Sequence, residues 1–198
     1  MRRRPLFVAG LIFIAALLSP AWARTAGAPA HYRVKFQTSR GAFVVDIIRP
    51  QAPHGANRFY DLVTHRFFDG ARFYRVVPGF VVQWGYAADP AVTAKWSNAI
   101  PDDPVRSSNA RGSISFAATS EPNSRSNELF INVGNNARLD GLGFAPLGKV
   151  VSGMEVLDHI YSGYGQSPDQ GRITAAGNSY LIKEFPKLDY IKTARIVQ

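Results

Sequence analysis

The chain has no cysteine among its 198 residues. Thiol catalysis, disulfides and thiolate metal sites are therefore excluded. The absence suits an oxidising compartment, where a stray thiol is a liability. Histidine is scarce as well. His31, His54, His65 and His159 stand alone, none with a partner at metal-ligand spacing. There is no G-x-S-x-G elbow, no Walker-type loop and no G-x-G-x-x-G after a strand. Charged residues make up 19% and hydrophobic ones 46%, an ordinary globular balance that argues against a mostly disordered chain. The formal net charge is +9. Past residue 4, however, the basic residues are scattered, with no clustered footprint for nucleic acid. No metal, no organic cofactor and no nucleic-acid partner is expected.

The one strongly apolar stretch is also short. Three arginines precede Leu6–Leu18, Ser19-Pro20 breaks the run, and Ala21-Trp22-Ala23 places small residues where a signal peptidase reads them. Thirteen apolar residues fall short of the roughly 20 that span a bilayer. Residues 1–23 therefore read as a cleavable signal peptide rather than an anchor. The mature chain, cut after Ala23, is expected in the periplasm or secreted, without stable membrane insertion. Cleavage removes Arg2, Arg3 and Arg4 and no acid, leaving +6. Residues 24–31 are small and Pro/Gly-rich and read as a linker. Residues 32–198 read as one domain, with no internal repeat.

Within that domain Tyr32, Val34 and Phe36 alternate with polar residues, and 42–49 answers them across Ser39-Arg40-Gly41, which predicts an opening β-hairpin. Phe59, Leu62, Val63 and Phe67 fall at helical spacing. Strands are expected at 72–77, 80–84, 113–118, 128–133, 148–151 and the C-terminal end. A short helix is expected over 152–161, with Ser152 near its N-cap. Residues 86–111 read as a long surface loop, in which Asp102-Asp103, between Pro101 and Pro104, reads as a solvated turn. The Gly-, Ser- and Asn-rich stretch 163–184 shows no periodic element. About eight short strands and two helices predict a mainly β fold, a closed antiparallel barrel capped by two α-helices.

The stretch 73–85, FYRVVPGFVVQWG, sets one guanidinium and one amide among aromatic and β-branched residues, with no acid, thiol or second base. Phe73, Arg75 and Val77 share one strand parity; Phe80, Val82 and Trp84 alternate with Val81 and Gln83. Parity alone does not say which face lines a groove. This stretch closely resembles the signature of cyclophilin-type peptidyl-prolyl isomerases. GSISFA (112–117), NELFINV (127–133) and LDGLGFAPLGKVVSGMEVLDHI (139–160) agree with the family in order and spacing, over essentially the whole mature chain. The signal peptide and the short helix-turn segments look most like its bacterial exported branch.

The resemblance implies an eight-stranded barrel with two helices and an enzyme that twists X-Pro bonds. Peptide-bond rotation faces a barrier of roughly 18–20 kcal/mol from C–N resonance. Lowering it breaks no bond. A fixed cation near the proline nitrogen withdraws its lone pair from resonance, and a guanidinium is always charged. This explains an arginine in apolar surroundings with no nucleophile beside it. By resemblance Arg75 is the catalytic cation and Gln83 holds the substrate carbonyl or the arginine. Phe80, Val81, Phe130 and Leu139 form the proline pocket with Phe144 on its rim, and the backbone of Ala117, Ala118 and Thr119 pairs with an extended substrate.

Five positions depart from the family's common form. Glu128 stands where glutamine is usual, and as a carboxylate it is expected to pair with Arg75 and compete with substrate. Val81 replaces a methionine, Ala118 an asparagine, and Phe144 a histidine or tyrosine. Arg138 stands where a tryptophan contacts cyclosporin, so weak cyclosporin binding is expected. The partners implied are proline-containing, partly folded exported proteins, met by a monomer. The alternative is a non-enzymatic proline-peptide binding module or chaperone in which Glu128 neutralises Arg75. A β-barrel with an unrelated interaction role is the third reading, and four motifs in order stand against it.

Overall fold

The computed structural model describes residues 27–198; the expected signal peptide and residues 24–26 of the linker lie outside them. Eight strands form one sheet: β1 (His31–Thr38), β2 (Gly41–Ile48), β3 (Arg75–Val77), β4 (Val81–Trp84), β5 (Ser113–Phe116), β6 (Leu129–Asn132), β7 (Pro146–Ser152) and β8 (Ile191–Val197). Every neighbouring pair is antiparallel. The order around the sheet is β3-β4-β6-β5-β7-β2-β1-β8. Its two ends meet through the residues that precede β3 and β8. Arg72 bridges Tyr190, Gly70 N donates to Ile191 O at 2.8 Å, and Phe73 N donates to Asp189 O at 3.0 Å. The barrel closes there by a short seam.

Alternation dictates the inside. Tyr32, Val34, Phe36 and Thr38 of β1 are buried while the residues between them are exposed, the period-2 pattern of a half-buried strand. Phe36 stacks on Phe43 at 4.7 Å and meets Trp84 edge-on at 5.7 Å. Phe59, Phe68 and Phe73 complete the aromatic centre. Of these, Phe59 comes from α1 (Pro53–Thr64), which starts with proline at its first position and buries Phe59, Leu62 and Val63 on one face. The last residues expected of the linker are docked rather than free: Ala28 is buried, and its N–H donates to Asn57 Oδ1 at 3.0 Å.

Three further α-helices bring the total among the described residues to four, against two expected. α2 (Pro90–Lys95) lies inside the segment read as loop, with the Asp89 side chain accepting from Ala91 N at its start. α3 (Met154–Asp158) begins later than expected. Ser152 ends β7, and the cap is Gly153 in the left-handed region, with no side-chain bond. α4 (Gln170–Glu184) occupies the stretch that showed no periodicity, and it is broken at Gly177, whose φ is 54°. A Cβ at Gly177 would lie 2.7 Å from Ala88 O and 2.8 Å from Pro90 Cδ, so the break lets α4 touch the start of α2.

Asp102 and Asp103 are not a solvated turn. Asp103 is 8% exposed, and its carboxylate accepts from His54 N at 3.0 Å and Gly55 N at 2.7 Å, capping α1 from 48 residues away in sequence. Asp102 pairs with the buried Arg125 and accepts from Asn123 N. Together they pin one end of the long connection to the barrel. Asp103→Ala should lower stability by about 1–2 kcal/mol, as loss of a helix N-cap does, read as a shift in the urea midpoint at unchanged slope. A change under about 0.3 kcal/mol would remove this capping role.

Candidate active site

Register builds the site. Arg75 on β3 pairs with Gln83 on β4, Gln83 with Phe130 on β6, and Phe130 with Ser115 on β5. Residues opposite one another in a ladder share a face, so one row crosses four strands on the barrel's outer side. The next row, Val76, Val82, Ile131 and Ile114, points into the core. This decides the question left open by parity. Val81 and Gln83 face the groove with Arg75, and Val82 and Trp84 face inward. Phe73 departs from the parity it shares with Arg75. It precedes β3, lies outside regular pairing and turns into the core, 5.7 Å from the Trp84 ring.

A cavity of about 220 Å³ opens on this outer row. Its lining includes all eleven residues singled out in the sequence: Arg75, Gln83, Phe80, Val81, Ala117, Ala118, Thr119, Glu128, Phe130, Leu139 and Phe144. Ser124, Ser126 and Gln170 also line it and were not anticipated. The apolar floor is Val81, Phe130 and Leu139, with Phe80, Ala117 and Phe144 packed around it. Phe144 meets Phe130 edge-on at 5.7 Å. The turn carrying Phe80 is tied down, because its carbonyl accepts from Val133 N and Asn136 Nδ2, each at 2.9 Å. Asn109 Nδ2 donates to Phe144 O at 2.8 Å and holds the opposite rim.

Arg75 Nη1 donates to Gln83 Oε1 at 2.9 Å, and its Nε donates to Gln166 Oε1 at 3.2 Å. Both partners are neutral carbonyls. A guanidinium has five N–H donors, so three remain without a partner among the described residues. None of the ion pairs among the described residues includes Arg75 or Glu128. The expected pairing of Glu128 with Arg75 is therefore not what this structure holds.

Glu128 is occupied on its other side. Tyr74 donates its hydroxyl proton to Glu128 Oε2, Tyr86 donates to Oε1 at 3.1 Å, and Gln83 Nε2 donates to Oε2 at 3.3 Å and to the Tyr74 hydroxyl. Burial, and then the adjacent Glu128 charge, push both phenols above the usual tyrosine range. They stay protonated donors at any working pH. A directional chain results, in which Glu128 and Tyr74 fix the Gln83 amide with its carbonyl toward Arg75. Gly85 makes the close packing of β4 on β6 possible there; at φ 145° a Cβ would lie 2.3 Å from Glu128 Cα.

The unanticipated helix α4 completes this arrangement from behind. Ile173, Tyr180 and Leu181 pack with Tyr74, Tyr86 and Leu188 in a second apolar cluster. The first residue of α4, Gln170, reaches the cavity lining, and Gln166, just before the helix, accepts from Arg75. Its polar composition gave no warning of this. Tyr74 carried a faint signal, a phenol directly beside the key arginine.

The profile of the family described as cyclophilin type peptidyl-prolyl cis-trans isomerase/CLD matches residues 33–178. Peptidyl-prolyl cis-trans isomerase A of Dickeya dadantii is 36% identical over 172 residues, 81% of this chain and 85% of that protein. Peptidyl-prolyl cis-trans isomerase B of Escherichia coli is 29% identical, covering 80% of this chain and 94% of its own. A Cryptosporidium parvum cyclophilin solved in the presence of the dipeptide Ala-Pro superposes with a TM-score of 0.64 at 21% identity, over 84% of this chain and 99% of its own. That likeness speaks for the fold. With the profile and the sequence relatives, it places the chain in the cyclophilin-type peptidyl-prolyl isomerase family.

Proposed function

We propose that this chain is a peptidyl-prolyl cis-trans isomerase that acts on X-Pro bonds of proteins folding outside the cytoplasm. The observation that carries the reading is Arg75, a guanidinium with spare donors and no ion pair among the described residues, held by Gln83 beside the apolar floor of the cavity. The ring enters between Val81, Phe130 and Leu139. The guanidinium then donates to the pyramidal nitrogen of the twisted amide, an interaction stronger in the twisted state than in either planar one. Arg75 and Gln83 are the residues proposed to act directly, and the other nine to bind. Ala117–Thr119 flank the extended substrate. Export rests on the sequence pattern of residues 1–23, and partly folded clients follow from that setting.

The binding-module alternative required Glu128 to neutralise Arg75, and the Tyr74 and Tyr86 bonds to Glu128 support the enzyme reading instead. A protease-coupled assay on an uncharged proline tetrapeptide tests it directly. Acceleration well above the uncatalysed exchange is expected, and none at all would favour a module that binds without turnover. Cyclosporin should bind weakly, because Arg138 offers a charged fork where the family has an indole. Arg138→Trp should tighten it by about tenfold, the order of one buried aromatic anchor. Titration calorimetry of both proteins reads this, and equal affinities would contradict it.

A further inference from the structure

Resting on the isomerase reading, we propose that Arg138 makes the groove selective for an acidic side chain close to the substrate proline. Arg138 leads directly into Leu139 of the pocket floor, and its guanidinium carbon lies 4.6 Å from the centroid of the Phe80 ring. Arg75 addresses the same ring at 5.5 Å. One aromatic wall of the proline pocket therefore carries two cations. Stacking on the ring face holds each head group where a substrate flank passes, through the attraction of a cation to the ring quadrupole.

Neither charge is answered from within. Arg138 is exposed, and its one polar contact among the described residues is the neutral Asn136 Oδ1 at 3.5 Å. The acid nearest in sequence, Asp140, is committed elsewhere. It accepts from Ser108 Oγ at 2.6 Å and from Asn109 N and Nδ2, both at 2.8 Å. Those bonds, from Ser108 first and then Asn109, hold its carboxyl below the usual carboxylate range. Glu128 is held by Tyr74 and Tyr86. Arg125, stacked on Phe144 at the other rim, is paired with Asp102 and adds little net charge. The groove thus keeps two cations on one wall, neither of them in an ion pair among the described residues. An incoming carboxylate gains a partner there, and a lysine meets repulsion. The effect belongs to an exposed site, so it should be modest and salt-sensitive.

The test measures kcat/KM by protease-free NMR exchange on peptides Ala-Xaa-Pro-Yaa, with Glu, Gln or Lys at each flank in turn. At low ionic strength the wild type should favour Glu over Lys by about two- to fivefold at one flank or both, the range of exposed ion pairs. The gap should close as salt is added. The Glu:Lys ratio is read within each protein, so any change in overall rate cancels. It should fall to near unity in Arg138→Gln, survive in Arg138→Lys and invert in Arg138→Glu. Activity on the Gln peptides with a ratio near unity in the wild type would overturn the selectivity while leaving the isomerase intact. A wild-type ratio that persists in Arg138→Gln would assign it to another group and equally overturn the proposal. No exchange on any peptide would instead remove the isomerase reading itself.

Discussion

Arg75→Ala should lower kcat/KM on an uncharged proline peptide by about 10²–10³-fold, the usual cost of removing one preorganised donor at developing charge. The thermal midpoint should barely move. Arg75 is partly exposed and, among the described residues, has no ion-pair partner and bonds only to Gln83 and Gln166. A surface substitution of that kind stays within about 0.5 kcal/mol in stability. Loss of rate without loss of stability separates a catalytic cation from a structural one. Arg75→Lys should recover only part of the activity, because an ammonium keeps the charge but not the planar fork that reaches Gln83 and the substrate together. A rate for Arg75→Ala within about threefold of wild type would exclude the direct role, since no single preorganised donor is worth so little.

Glu128 gives the second large effect, and its sign divides two accounts. Were Glu128 a brake on Arg75, neutralising it would speed the enzyme. The bonds observed predict otherwise. Glu128→Gln keeps an acceptor for Tyr74 or Tyr86 and should leave kcat/KM slightly reduced. Glu128→Leu strips the acceptor from the Tyr74 phenol and one acceptor each from Tyr86 and the Gln83 amide, and all three residues are buried. Unpaired buried polar groups cost about 1–3 kcal/mol each, so a loss of about 2–4 kcal/mol is expected by denaturant titration. The rate should fall about tenfold as well, because Gln83 loses one of its two acceptors and the Tyr74 hydroxyl that also orients it loses its own, a modest share of what one catalytic donor contributes. Faster turnover by either variant would restore the brake.

Strand positions were legible because burial follows period 2 in β1, and because Pro78-Gly79 and Asp69-Gly70 mark turns plainly. α4 was not. Its sequence places few large apolar residues on any one face, and Gly177 breaks the period in the middle. It is held by tertiary contact with Tyr74, Tyr86 and Leu188 rather than by its own pattern. The Asp102-Asp103 pair shows the same limit. Prolines on either side suggest a solvated turn, and only the approach of α1 and Arg125 gives each carboxylate its work.

The site was legible unevenly. Arg75 and Gln83 stand out as polar groups in an apolar strand, but alternation could not say which face they share with Phe130. Register settled that, through pairings 47 residues apart in sequence. The eleven residues meet in one cavity, while Tyr74, Tyr86, Gln166 and Gln170 come from contacts that no local pattern encodes. The pairing of Glu128 with Arg75 that the sequence allowed is absent for the same reason. Two carboxylate-to-donor options existed, and the fold placed two phenols nearer than the guanidinium.

The central claim is that Arg75 is not paired with Glu128 and does the work. One side-by-side measurement tests it most directly: NMR exchange of a single uncharged proline tetrapeptide by the wild type, Arg75→Ala and Glu128→Gln under one condition. The account predicts wild type and Glu128→Gln close together and Arg75→Ala slower by about two orders of magnitude or more. Glu128→Gln turning over far faster than wild type, with Arg75→Ala little changed, would contradict it.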